Sequence, residues 1–340
     1  MPNAMFSYSA LHSKTAAMRA RHLSAEQLAE LSAKDTVADA CTYLKNETVY
    51  SVIFAGYNER NLHRGDIELL LDGYLQSEVR KLYSFCNRQQ RSILSYTYLR
   101  YEIEQLKNIL RHILSGRPAN IKYDTDSFFN GKLSIDLERL SQCTSIREFL
   151  QAVEGTPYHQ ILFPPLSQSN ADLYVVEMHL DAYYFRHMWR IKDKMLGGND
   201  KKIVSEAFGR EIDMLNLMWI YRCKRYYNME HEMIFPAIIP IHHKISKQWL
   251  QDIIATADLQ SFLSMAEQTP YFALFDSLAE RFIEQNYTAI TANNMRRMIR
   301  RSPFSIACVT VYLHFMEQEI SSIITTIEAI RYGVGKAINN

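Results

Sequence analysis

The sequence contains few cysteines, glycines and prolines for its 340 residues. The five cysteines are odd in number, widely spaced and never arranged as Cys-x-x-Cys, which excludes a disulfide framework and a cysteine zinc site. This usage favours a reducing, cytosolic location. Only 11 glycines and 9 prolines occur, and most prolines lie between stretches with helical spacing. Few glycines and prolines, placed mainly between helical stretches, are typical of a helical chain.

The chain also lacks a large net charge and a long apolar run. A formal net charge of +1 does not indicate wholesale nucleic-acid binding. The longest nearly apolar run, 304–316, falls short of the ~20 residues that a membrane span needs. The N-terminal residues show no basic segment followed by an apolar one, so we expect no secretory signal. Hydrophobic content of 47% nevertheless fits an ordinary folded protein.

Common catalytic motifs are missing as well. The sequence has no phosphate-binding Gly-x-x-x-x-Gly-Lys-Ser/Thr or Gly-x-Gly-x-x-Gly loop, no Gly-x-Ser-x-Gly nucleophile turn and no His-Glu-x-x-His zinc pattern. We therefore expect no catalytic residue, no cofactor and no metal, and a function other than that of an enzyme.

What the chain does contain is a threefold internal repeat. Four short patterns recur in the same order about 110 residues apart. They are a helix-cap-like segment ending at Ser24, Ser134 and Ser246; a Thr-x-Tyr at Thr48–Tyr50, Thr156–Tyr158 and Thr269–Tyr271; a carboxylate pair at Glu68/Asp72, Glu177/Asp181 and Glu280/Glu284; and a Glu-Ile beginning at Glu102, Glu211 and Glu319. The recurrence predicts three helical lobes, 1–120, 121–235 and 236–340, that build a quasi-threefold object.

Each lobe is predicted to open with a helical hairpin that ends at the Thr-x-Tyr and to continue with two longer helices. Apolar residues in the long segments recur at spacings of three to five, and no β alternation competes, so the fold is all-α. The long helices are predicted at 66–86 and 92–114, at 172–195 and 201–226, and at 275–287, 295–300 and 306–331.

The carboxylate pairs have two interpretations. Acidic residues four positions apart share one face of a helix, where they could hold a metal or exchange protons. The Glu-x-x-His of di-iron helical proteins is missing, however, because Gln105, Met214 and Ser322 stand three residues after the repeated Glu. The sequence favours pairing with Arg, Lys or Tyr of a neighbouring helix, and a carboxylate-metal helical enzyme is the alternative.

Two basic clusters are candidate interface residues. They are Arg222, Lys224 and Arg225, and Arg296, Arg297, Arg300 and Arg301. Either cluster could be a solvated helix face or a contact for an acidic partner.

Three stretches carry a resemblance to a known family. They are 8–24, with its Met18-Arg19-Ala20-Arg21; 211–226, from Glu211-Ile212-Asp213 to Lys224-Arg225-Tyr226; and 302–333, from Ser302-Pro303-Phe304 to Arg331-Tyr332-Gly333. Together they resemble the C subunit of bacterial and archaeal V/A-type rotary ATPases, the family that includes the d subunit of the eukaryotic V-ATPase. The chain departs from that pattern at 321–324 and in the link from Phe275 to Met295.

The resemblance implies a funnel of three helical lobes without an active site. Such a protein links the central stalk to the membrane proteolipid ring and transmits torque for proton or sodium transport. It lies on the cytoplasmic face of the membrane without entering it, and binds no nucleic acid. A free-standing helical scaffold that binds another partner is the alternative.

Overall fold

Helices account for all the regular structure in the described part of the chain. The computed structural model describes residues 2–116, 128–167, 172–227, 229–276 and 280–333, without the side chains of 2–4, 130, 280 and 281. These residues form sixteen α-helices and no β-strand, which confirms the all-α prediction. The helices are α1 Pro2–Arg19, α2 Ala25–Ser32, α3 Val37–Glu47, α4 Ser51–Phe54, α5 Arg64–Phe85, α6 Arg88–Leu114, α7 Leu137–Ser141, α8 Ile146–Ala152, α9 Pro157–Leu166, α10 Leu173–Met195, α11 Gly198–Arg225, α12 His231–Ala237, α13 Lys247–Ile254, α14 Leu259–Ala266, α15 Glu280–Arg301 and α16 Ala307–Arg331.

The helices group into two compact units. The first comprises the described residues within Met1–Tyr98, Asn120–Leu133 and Cys308–Asn340, and the second those within Leu99–Ala119 and Ser134–Ala307. The first unit therefore combines the start of the chain with its last helix. The division into lobes at 1–120, 121–235 and 236–340, and their funnel arrangement, stay predictions.

The first unit is built on α1, α5 and α16. Along α16 the buried side chains Val309, Leu313, Met316, Ile320 and Ile323 follow spacings of three and four, as one face of a helix requires. Polar contacts join α16 to α5, because Tyr312 Oη donates a hydrogen bond of 2.7 Å to the buried carboxylate of Glu78. The last helix is thus part of the core that the first hundred residues build.

The second unit is built around the long helices α10, α11 and α15. The α11 and α15 helices run antiparallel, since Arg222 near the end of α11 pairs with Glu284 near the start of α15 at 2.5 Å. At the opposite end, the backbone N–H of Ile306 donates to Asp200 at 3.0 Å. Both ends of this helix pair are therefore fixed by polar contacts.

The three predicted hairpins are present as α2–α3, α7–α8 and α13–α14. Ser24 and Ser246 cap their helices as predicted, accepting from the backbone N–H of Gln27 and Trp249. The prediction for Ser134 was wrong. The cap of α7 is Asp136, two residues later, which accepts from the N–H of Arg139.

The long helices follow the prediction except in the third repeat. The predicted interruption between Tyr287 and Met295 is absent, because α15 runs unbroken from Glu280 to Arg301. The Thr and Asn residues between 288 and 294 have modest helix propensity, but Ile283, Thr291 and Met295 are buried on one face of the helix. Tertiary packing therefore overrides local preference here.

Several prolines also lie in helices rather than between them. Pro157 occupies the first turn of α9, where its missing N–H costs nothing, and Pro164 and Pro165 lie near the end of that helix. Pro236 lies near the end of α12. Among the residues described, no helix is long and apolar enough to cross a membrane.

Candidate functional site

The repeated Thr-x-Tyr has the same structure in all three copies. The hydroxyl of Thr48, Thr156 or Thr269 donates to a backbone carbonyl three or four residues earlier, at 2.5, 2.6 and 2.8 Å. The same hydroxyl accepts the backbone N–H of the tyrosine two residues later, at 3.2, 3.2 and 3.3 Å. Each threonine thus ends a hairpin helix and fixes the backbone from which the tyrosine side chain departs.

Each of these tyrosines reaches a buried carboxylate on a long helix. In the first cluster, Tyr50 Oη donates to Glu319 of α16 at 2.7 Å. The other carboxylate oxygen accepts the backbone N–H of Leu23 at 3.0 Å and lies 2.6 Å from Nδ1 of His22. Glu319 thereby holds both the beginning and the end of the first hairpin.

The second cluster repeats this pattern on α6. Tyr158 Oη donates to Glu102 at 2.9 Å. The other oxygen of Glu102 accepts the backbone N–H of Ser134 at 2.6 Å and its hydroxyl at 2.7 Å. Ser134 therefore binds the carboxylate instead of capping the helix.

The third cluster uses Asp213 of α11 as its carboxylate. Tyr271 Oη donates to Asp213 at 3.1 Å, and the N–H groups of His243 and Lys244 donate at 3.2 and 2.7 Å. The marker Glu211 is not part of this cluster, and instead accepts a hydrogen bond of 3.0 Å from Tyr287. In the third copy the carboxylate that holds the hairpin thus stands two residues after the repeated Glu.

A glycine makes the third cluster possible. A Cβ placed on Gly209 would lie 2.5 Å from Cγ of His243, closer than real carbon atoms approach. The backbone N–H groups of His243 and Lys244 donate to Asp213. The 243–244 segment can pack this closely against α11 only because residue 209 has no side chain. Sequence reasoning missed Gly209, whose only signal is a lone glycine inside a strongly helical stretch.

The electrostatics of the clusters suit hydrogen bonding rather than proton transfer. Burial, followed by the charge of the adjacent carboxylate, raises the pKa of Tyr50, Tyr158 and Tyr271, so all three remain protonated donors. Burial also raises the pKa of Glu102 and Asp213, against the opposing effect of the hydrogen bonds that each accepts. The clusters are therefore anchors that hold hairpins onto long helices.

The carboxylate pairs mostly have basic partners. Glu177 accepts from Arg111 at 2.7 Å and Asp181 from Lys107 at 2.6 Å, which links α10 to α6. Burial opposes the charged form of Lys107, but the carboxylates of Asp181 and Glu104 outweigh it and raise the pKa of this lysine.

The remaining pair members lie in the other two copies. Glu284 pairs with Arg222, and Glu68 pairs with Arg64 of its own helix at 2.7 Å. Asp72 is half-buried on α5, and the side chain of Glu280 lies outside the described residues. Within the described ranges no group of three His, Cys, Asp or Glu side chains is arranged to hold a metal ion.

The two basic clusters differ in their surroundings. Arg222 is half-buried against Glu284, and Lys224 donates at 2.7 Å to the carbonyl of Thr256, while Arg225 is exposed. The arginines at the end of α15 are all exposed: Arg296, Arg297, Arg300 and Arg301. The first cluster therefore has contacts inside the second unit, and the second cluster presents its charge to solvent.

Comparison with known proteins agrees with the resemblance seen in the sequence. A model of the ATP synthase (C/AC39) subunit family matches residues 11–340. The C subunit of the A-type ATP synthase of Methanosphaera stadtmanae is 24% identical over 318 residues, which cover 88% of this chain and 78% of the relative. The corresponding C subunits of Methanothermobacter thermautotrophicus and Desulfurococcus sp. are each 21% identical, over 94% and 96% of this chain and 83% and 88% of their own lengths. Because the family model matches nearly the whole sequence, this chain belongs to the ATP synthase (C/AC39) subunit family, whose members are subunits of rotary ATPases.

Proposed function

We propose that this chain is the rotor adaptor of a V/A-type ATPase or ATP synthase. In this role it joins the central stalk to the membrane proteolipid ring and transmits torque between ATP chemistry and proton or sodium transport. It performs no catalytic step itself. Family membership supports a place in the rotary complex, and the adaptor role is our inference from the repeat.

The observation that carries this proposal is the threefold use of one anchor. Tyr50, Tyr158 and Tyr271 each fix a hairpin to a long helix through a buried carboxylate and backbone N–H groups. A part that transmits torque has to keep its shape under load, and buried, hydrogen-bonded polar groups favour one arrangement over its alternatives. Three similar lobes in a funnel would also offer three similar faces to a ring of repeated subunits.

The proposed position is the cytoplasmic face of the membrane, with contacts to the stalk on one side and to the ring on the other. The exposed arginines of α15 and Arg225 are the candidate interface residues that have solvent access. Arg222 and Lys224 would act there while keeping their internal contacts with Glu284 and Thr256. Electrostatic contacts of this kind set the orientation and rate of assembly more than its affinity.

Reconstitution tests the proposal directly. The head with its stalk, and the ring in detergent, are purified separately and mixed with or without this chain, and co-sedimentation is measured. We expect stalk and ring to sediment together only when the chain is present. We also expect ATP hydrolysis by the head to persist without it while ATP-driven ion transport in vesicles is lost.

A variant with two anchors weakened, Tyr158→Phe with Tyr271→Phe, should reduce transport more than hydrolysis. The matched control is Tyr57→Phe, which removes a hydroxyl from a side chain that is 49% exposed. Stalk and ring that stay coupled without the chain would refute the adaptor role. In that case recovery of unrelated partners from its own cells would favour a free-standing scaffold.

A further inference from the structure

One end of the second unit carries an excess of positive charge. The turn between α10 and α11 is flanked by the exposed lysines Lys194 and Lys202. The end of α15 carries the exposed Arg297, Arg300 and Arg301. From 285 to 315 the sequence contains no Asp or Glu, so the charge of these arginines is not balanced along their own segment.

These two elements lie at the same end of the unit. The N–H of Ile306, five residues after the end of α15, donates to Asp200 in the first turn of α11. At the other end of the antiparallel pair, Glu284 of α15 contacts Arg222 of α11. The end of α15 therefore lies at the same end of the unit as the beginning of α11, and both carry exposed basic side chains there.

The acidic side chains at this end already have partners. Asp193 accepts from Lys201 at 2.9 Å and from Lys192 at 3.2 Å. Asp200 accepts the N–H of Ile306. We name Lys194, Lys202, Arg297, Arg300 and Arg301 the basic end.

We propose that the basic end binds the anionic headgroups of membrane phospholipids. The proposal deepens the proposed function, on which it rests for the nearness of the membrane, by adding the lipid as a direct partner. Exposed clusters of Lys and Arg are attracted to anionic leaflets, and each basic side chain near the surface strengthens binding by about fivefold. Phe304, which is 37% exposed beside Arg301, adds an aromatic ring suited to the headgroup region.

A basic turn in the first unit favours a partner that is recognised by its negative charge rather than by its shape. Its own turn between α5 and α6 is also basic, with exposed Arg80 and Arg88, and the sequence has no Asp or Glu from 79 to 101. The exposed Lys81 of this turn pairs with Glu78 at 2.6 Å. Positive charge recurs at these turns, but the order and spacing of the basic residues do not. A folded acidic protein would require a defined arrangement, whereas a leaflet of anionic lipids requires only the charge.

Vesicle sedimentation with the full chain tests this proposal without any other subunit. We expect binding to vesicles that contain phosphatidylglycerol, weak binding to pure phosphatidylcholine, and release by raised salt. The variant Arg297→Gln, Arg300→Gln, Arg301→Gln should bind anionic vesicles about 100-fold more weakly. The matched control, Arg139→Gln, Arg147→Gln, Lys247→Gln, removes the same charge from exposed positions of the hairpin regions and should change binding far less.

Four results would overturn the proposal. They are no preference for anionic vesicles, undiminished binding by the arginine variant, an equal loss in the control, and a stronger preference for a polyglutamate peptide than for the vesicles, which would indicate an acidic protein partner. Circular dichroism and thermal melting establish that both triple variants are folded. Stalk–ring sedimentation with the unmodified chain, in detergent free of anionic lipid, keeps the two proposals separate. Failure of that assay would refute the adaptor role, whereas binding of the chain alone to vesicles decides the lipid proposal.

Discussion

Tyr50 donates a 2.7 Å hydrogen bond to Glu319, a residue 269 positions later in the chain. The first hairpin is therefore held by the last helix, whereas the second and third hairpins are held by helices that precede them in the sequence. The three anchors are chemically alike, so their contributions to stability can be compared directly.

Removing one tyrosine hydroxyl should destabilise the chain by a similar amount at each anchor. In Tyr50→Phe, Tyr158→Phe and Tyr271→Phe the ring still packs, but a buried carboxylate loses one donor, which costs about 1–3 kcal/mol. Urea unfolding followed by circular dichroism measures this loss. Tyr57→Phe, on an exposed side chain, should change the free energy of unfolding by less than about 0.5 kcal/mol. If all three variants lost as little stability as Tyr57→Phe, the result would contradict the anchor role.

Asp213 should matter more than the repeated Glu211 for the third hairpin. Asp213→Asn places an amide among three donors at a fully buried site, and we expect a loss of about 1–3 kcal/mol. Glu211→Gln makes the same chemical change on a half-buried side chain bonded to Tyr287 and should cost less than about 1 kcal/mol. Unfolding of both variants under one condition checks the order. The reverse order would show that the sequence marker, rather than the structural cluster, identifies the important carboxylate.

The Glu102 anchor should give stability a pH dependence of defined sign. Burial raises the folded-state pKa of Glu102 above its ordinary value, so the folded state binds this proton more tightly than the unfolded state. The stabilisation that proton binding by Glu102 adds to the folded state is fully present below the unfolded pKa of about 4.3. It is lost as the pH rises through the pKa of Glu102 in the folded state. The stability of the wild type relative to Glu102→Gln should therefore fall as the pH rises above about 4.3. A relative stability that rises over this pH range would mean that the hydrogen bonds outweigh burial.

Alanine should have opposite effects at two helix glycines. In Gly73→Ala of α5 the new methyl meets no atom within 4 Å, and better helix propensity should stabilise the chain by about 0.5–1 kcal/mol. In Gly209→Ala of α11 the methyl would collide with His243 and displace the donors of Asp213, so we expect a loss of about 1–3 kcal/mol. Thermal melting of both variants tests the difference in sign. If both alanine variants were more stable than the wild type, the 243–244 segment would be able to move away from α11 without a loss of stability.

Patterns within one segment gave the reliable part of the sequence prediction. Helical spacing identified the long helices, and the recurrence of Thr-x-Tyr located the ends of all three hairpins, because each threonine hydrogen-bonds to a residue three or four positions earlier. The family was also accessible from short motifs spread along the chain.

Contacts between distant segments could not be predicted in the same way. No local pattern indicates that Tyr50 reaches Glu319, or that Asp213 rather than Glu211 receives Tyr271. The misassigned cap at Ser134 has the same origin, because its N–H and hydroxyl are bound to Glu102 of another helix. The continuous α15 was missed because burial of Thr291 and Met295 compensates for modest local propensity.

The position of Glu319 also has a consequence for synthesis on the ribosome. Glu102 and Asp213 are translated before the hairpins that they bind, so the second and third hairpins emerge with their acceptors already made. The first hairpin emerges long before its acceptor. At about 5–20 residues per second, the 269 residues from Tyr50 to Glu319 take on the order of 10–50 s to translate. For that time the first hairpin of a nascent chain lacks its anchor, and it can dock fully only after Glu319 has been translated.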